Sequence, residues 1–146
     1  MAIRVPVFMT FFVDVTVRGY ELDTQGHLNQ AVYLQYAEHA RWELLRTAGV
    51  PQEKLLATGV GPVALEVTVK YASELRGGDK VRVTCAFVYG AGKTFRIAQQ
   101  IIKEDGTVAA EITGVGGMLD LTARRLIADP GGHLASLADN PELLGA

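Results

Sequence analysis

Glu21–Val50 reads ELDTQGHLNQAVYLQYAEHARWELLRTAGV, and two patterns meet inside it. From Gln30 onward Tyr33, Ala37, Ala40, Leu44 and Ala48 recur at helical spacing, while Gln35, Glu38, His39, Glu43 and Arg46 fall elsewhere on the wheel. The spacing predicts an amphipathic helix from about Gln30 to Ala48, stopped by Gly49 and the following Val50-Pro51. Its apolar stripe is rich in alanine, so the helix axis can sit close to whatever it packs on. Just ahead of the helix stand Asp23, Gly26, His27 and Asn29, a dense polar chemistry for a helix entrance.

Strand patterns surround this helix. Before it, Phe11, Val13, Val15 and Val17 alternate with Phe12, Asp14, Thr16 and Arg18, the signature of a half-buried strand, and the apolar VPVFMTFFV reads as its beginning. After a short linker, period-2 patterning returns in PVALEVTVKY, KVRVTCAFVY, KTFRIAQQII and TVAAEITGVGGMLDL. Turn-like GAG and EDG separate the last three, which reads as consecutive antiparallel strands. The GVGG glycines predict a bulge or a close backbone approach, and the tail from Ala128, with its DPGG, is expected outside the sheet with a short helix. One strand, one long helix and four strands make an α+β layout, a curved antiparallel sheet wrapped around one central helix.

The 146 residues predict a single domain, 1–146, with a core over about 5–127 and a C-terminal tail over 128–146. A net charge of -2 with no block of like charge argues against nucleic acid or an anionic membrane surface as a partner. The apolar N-terminal run is too short to span a bilayer and lacks a cleavage site. A lone Cys85 forms no internal disulfide, which fits the cytoplasm; it is in register with Val81, Val83, Phe87 and Tyr89 and reads as a core thiol. His39 and His133 lack metal-ligand spacing, there is no glycine-rich phosphate loop, and neither metal nor cofactor is expected.

At the helix entrance Asn29 is the N-cap candidate, so the amides that follow, from Gln30, lack intrahelical partners and point outward at the positive end of the helix. Such amides suit an oxyanion. Asp23 sits on the incoming loop, and Gly26 lets the backbone turn tightly enough to bring its carboxylate beside them. Asp and Asn before a helix are also ordinary caps and turn formers, and residue types alone leave both readings open.

The order of elements, with DTQGHLNQAVYLQYAEHAR and the later KYASELRGGDKVRV, resembles the hotdog-fold acyl thioesterases, in the 4-hydroxybenzoyl-CoA thioesterase-like and acyl-carrier-protein thioesterase-like branch, over roughly Val13 to Leu121. The resemblance implies hydrolysis of an acyl thioester of coenzyme A or acyl carrier protein, with Asp23 as general base or nucleophile and an amide near Gln30 polarising the carbonyl. It implies that His27 orients Asp23 or donates to the thioester, although a plain loop histidine fits equally. Gly-His-Leu-Asn looks closer to enzymes that release chains from a carrier protein. Glu66 reads as part of a solvated face with Ala64, Thr68 and Lys70, or as a second acid reaching the cleft. Tyr33 lines a channel or fills the core. Unpaired sheet edges, with the resemblance, imply a homodimer or homotetramer whose active sites lie at the subunit seam, where Glu66 and Lys70 are expected. Two other readings stand beside hydrolysis: a hotdog hydratase or dehydratase, and a non-catalytic acyl-thioester-binding protein.

Overall fold

Apolar side chains on alternate positions, and one alanine-rich helical stripe, can leave water together only if the strands curl around the helix. That is the arrangement in the computed structural model, which describes residues 11–146; the start of the expected N-terminal strand, before Phe11, lies outside the described residues. The elements run β1 (Phe11–Thr16), a 3-10 turn (Gly19–Glu21), α1 (Gln30–Thr47), α2 (Gln52–Leu56), β2 (Val60–Tyr71), β3 (Lys80–Tyr89), β4 (Thr94–Lys103), β5 (Val108–Asp120), β6 (Arg125–Leu126), α3 (Pro130–Leu137) and a second 3-10 turn (Pro141–Leu144).

The strands pair antiparallel in the order β1-β3-β4-β5-β2, with β6 added to the end of β5. The meander β3-β4-β5 follows from its short turns, but β2, the first strand after the helix, crosses to the far edge beside β5. The linker before β2 is not plain loop, because it holds the five-residue α2 with Leu55 buried. Tyr33, Ala37, Ala40, Leu44 and Ala48 of the predicted stripe are all buried against the sheet. Ala48 itself is the C-cap, one residue beyond the helix.

The GVGG expectation resolves into a bulge on the partner strand. Ala64 opposes Gly116 and Glu66 opposes Val115, leaving Leu65 as the extra residue of β2. A slip of one residue exchanges the two faces of a strand. Ala64 opposes buried Gly116 and Val69 opposes buried Ile112, so Pro62, Ala64, Val67, Val69 and Tyr71 share the helix side. Glu66, Thr68 and Lys70 fall on the outer side. The expected common face of Ala64 with Glu66, Thr68 and Lys70 is therefore broken at the bulge. A side chain at 116 would put its Cβ 3.2 Å from the Phe95 ring, which explains the glycine there.

The C-terminal tail lies outside the sheet, as expected, yet it belongs to the core. Leu134 and Leu144 are fully buried, and the amides of Asp139 and Asn140 donate to the Ala48 carbonyl at 2.9 and 3.1 Å. The orphan carbonyl of the Ala48 cap thus finds two partners in the tail.

Candidate functional site

The chain enters α1 through a tight loop in which Leu22 bridges Leu28 and the Asp23 amide donates to the His27 carbonyl at 2.7 Å. Gly26 takes φ +77, and its amide donates to the Asp23 carbonyl at 3.1 Å, so the turn needs a residue without a Cβ penalty. Asp23 Oδ1 accepts the amides of Gln25 at 2.9 Å and His27 at 3.1 Å. The expectation placed this carboxylate beside the first amides of the helix; its hydrogen bonds are instead to the amides of its own loop. Among the described residues Oδ2 takes no hydrogen bond, and the residue is exposed. Asn29 is the N-cap: its Oδ1 accepts the Ala31 amide at 2.9 Å, and its carbonyl accepts the Val32 amide at 2.9 Å. The Gln30 amide between them has no acceptor among the described residues. An aspartate oxygen and an orphan helix amide therefore both open at the same end of α1.

The His27 ring does not orient Asp23. Its Nε2 lies 2.6 Å from Glu74 Oε2, while Glu74 Oε1 accepts from Arg76 Nε at 3.0 Å and Nη2 at 2.8 Å. Those Arg76 hydrogen bonds hold the Glu74 carboxyl below its usual range. The reason is local pairing: the Leu28 amide donates to the Leu75 carbonyl at 2.7 Å and His27 bridges Arg76, so the loop lies along the β2–β3 connection and the ring meets Glu74. His27 reaches Asp23 only through its backbone, its amide donating to Oδ1 and its carbonyl accepting the Asp23 amide. Tyr71 Oη donates to the Gln30 carbonyl at 3.0 Å and its ring stands edge-on to Tyr33, centroids 4.9 Å apart. Burial first, then Tyr71, pushes the Tyr33 hydroxyl up, with smaller contributions from Asp23 and Glu74. Tyr33 thus sits within the field of both carboxylates. Tyr71, Glu74 and Arg76 were not singled out from the sequence; their signal is an aromatic at the end of β2 and two opposite charges in the segment joining β2 to β3. Glu66 and Lys70, on the outer side of β2, are not brought to this loop within one chain.

The model of the thioesterase-like superfamily matches residues 17–139. The chain belongs to this superfamily. It is 41% identical over 68 residues to the chloroplastic acyl-acyl carrier protein thioesterase ATL3 of Arabidopsis thaliana, a match over 47% of this chain and 36% of that protein. The chain therefore spans little more than a third of that relative. The long-chain acyl-CoA thioesterase FadM of Escherichia coli is 29% identical over 116 residues, which cover 79% of this chain and 87% of FadM. Among solved structures, a hypothetical protein from Aquifex aeolicus aligns with TM-score 0.78 and 28% identity over 87% of this chain and 98% of its own. The curled antiparallel sheet around one helix is the hotdog fold of these thioesterase-like proteins.

In this thioesterase-like chain a cavity of about 250 Å³ lies between α1 and the inner side of the sheet, lined by Trp42, Leu45, Ala64, Phe95, Met118 and Arg41, among others. Cys85 is a core thiol, as its register predicts: it is buried, and burial pushes it up to about 12 against the opposing pull of Arg41. No helix among the described residues is long and apolar enough to cross a membrane.

Proposed function

We propose that this chain hydrolyses acyl thioesters of coenzyme A or acyl carrier protein to the free acid. The observation that supports the reading is that two groups at the entrance of α1 have hydrogen-bonding capacity left over: Asp23, with one carboxylate oxygen uncommitted, and the orphan amide of Gln30. Thioester cleavage needs both, an oxygen nucleophile or base and a donor where negative charge develops. As base, Asp23 takes a proton from water while the water oxygen attacks the carbonyl carbon. The oxyanion accepts from the Gln30 amide, and collapse expels the thiolate, which takes up the proton. As nucleophile, Asp23 forms the new C–O bond itself, the thiolate leaves, and water hydrolyses the resulting anhydride. Asn29 fixes the first turn, Gly26 shapes the loop, and the His27–Glu74 pair anchors the loop to the β2–β3 connection. Membership of the thioesterase-like superfamily and the named activities of ATL3 and FadM support this class of reaction.

The assembly we propose is a homodimer or homotetramer joined along β2. Among the described residues that strand pairs with β5 on one side only, runs for twelve residues, and exposes Leu65, Val67 and Tyr71 by 51%, 42% and 51%. A long edge with such an apolar surface is a template for pairing. Pairing two copies there puts Glu66 and Lys70 at the seam, and beside it the Tyr71 that touches Gln30. The cytoplasm suits the free Cys85.

Incubation with a panel of acyl-CoAs and acyl-carrier-protein thioesters, following free thiol and product mass, tests the activity. Thiol release supports it. A mass change on an intact thioester indicates hydration, and tight binding without turnover indicates a binding protein; either result overturns the hydrolytic reading.

A further inference from the structure

Arg41 carries a charge into a place where charges are costly. It lines the helix–sheet cavity, whose other walls include the apolar Trp42, Leu45, Phe95, Ile97 and Met118 and, one turn before it on α1, Glu38. Among the described residues no carboxylate lies within ion-pair distance of its guanidinium. Its one acceptor among them is Gln99 Oε1 at 3.2 Å. Gln99 is itself only 3% exposed and is fixed by its amide donating to the Ala37 carbonyl at 2.9 Å and the Thr84 carbonyl at 3.3 Å. A buried glutamine therefore holds the arginine in place at the cavity wall. A half-buried cation in apolar walls is stabilised by whatever anion or acceptor enters beside it. A guanidinium matches a carboxylate best, through two parallel hydrogen bonds.

Tyr71, which touches Gln30, and Val67 lie on the inner side of β2, and Leu34 lies on α1 one turn before Glu38 of the cavity lining; all three are exposed and apolar. Arg41 lies eleven residues beyond Gln30, about 16 Å along the helix axis. A group bound at Arg41 is thus remote from the thioester carbonyl.

We propose that Arg41, positioned by Gln99, selects acyl groups that carry a carboxylate at the far end of the chain, so that the preferred thioesters are those of dicarboxylic acids. This rests on the thioesterase reading above. The test is kcat/KM for acyl-CoAs of graded length, in matched pairs ending in methyl or in carboxylate, with wild type, Arg41→Met and Arg41→Gln. The expected result is a preference for the carboxylate end of more than about tenfold at one favoured length, lost in both variants while methyl-ended chains are hydrolysed at least as well. Equal use of both ends by wild type, or a preference that survives in a folded variant, overturns the proposal. If no thioester is hydrolysed, the reaction assignment fails but the site is still tested. Free dicarboxylic acids of the same lengths then raise the melting temperature of wild type and not of Arg41→Gln; no shift in either overturns the site.

Discussion

Replacing Asn29 by alanine separates what the helix cap does for stability from what it does for turnover. Asn29 adopts extended backbone angles, φ -60 and ψ 136, and its side chain accepts a single helix amide, that of Ala31, at 2.9 Å. Loss of such a cap costs about 1 kcal/mol. For a domain of this size that lowers the melting temperature by about 3 °C. The same cap holds the first turn in which the Gln30 amide is presented, and an oxyanion donor displaced from its position forfeits part of the hundredfold or more that such a donor supplies. The expected turnover loss is therefore about tenfold or greater, well beyond the roughly 0.1% of molecules that a loss of 1 kcal/mol unfolds in a stable domain. Asn29→Ser keeps an oxygen for the Ala31 amide and is expected near wild type in both respects. Thiol release under saturating acyl-CoA, with the melting curve of each variant alongside, measures both quantities. An Asn29→Ala protein that loses the expected stability but turns over at the wild-type rate refutes the argument that this cap positions the oxyanion donor.

Tyr36→Phe removes the 2.6 Å hydrogen bond from the Tyr36 hydroxyl to Glu21. Burial raises the Glu21 carboxyl, but this bond together with the Arg18 amide and guanidinium outweighs it, and the group sits below its usual range. Its stabilisation is complete above the unfolded-state pKa and is lost as pH falls through the lower folded-state value, so the variant is less stable by about 1.5 kcal/mol at neutral pH and converges with wild type in acid; urea unfolding across pH measures this. Gly49→Ala meets Asp139 Oδ2 at 2.5 Å and the Asp139 amide nitrogen at 2.8 Å from a backbone at φ +95, and is expected to cost about 2 kcal/mol or more by the same method. Val67→Lys puts a charge on the exposed edge strand β2 and is expected to yield monomers in light scattering, with turnover falling in step.

The helix, its cap and the strands were legible because local signals and tertiary demand agree there. The Tyr33–Ala48 stripe and the Asn29 cap are each set by residues within a turn of one another. What escaped depends on pairing between distant segments. The bulge at Leu65 shows only against the glycines of β5, and without it Ala64 and Glu66 share a face. His27 reads as a partner for Asp23 by nearness in sequence, but the Leu28–Leu75 hydrogen bond turns its ring to Glu74. Arg41 looks like a polar helix residue until the crossover of β2 and the buried Gln99 enclose it. α2 was missed because five residues are too short a window for helical periodicity.

The most direct measurement of the account is acyl-thioester turnover by Asp23→Asn. The amide keeps an oxygen for the Gln25 and His27 amides, so the loop and the melting temperature are expected to stay close to wild type. It can neither accept the proton of water nor form an anhydride, and kcat is expected to fall by at least about a hundredfold. A folded Asp23→Asn protein with near-wild-type thiol release would take Asp23 out of the chemistry and contradict the account.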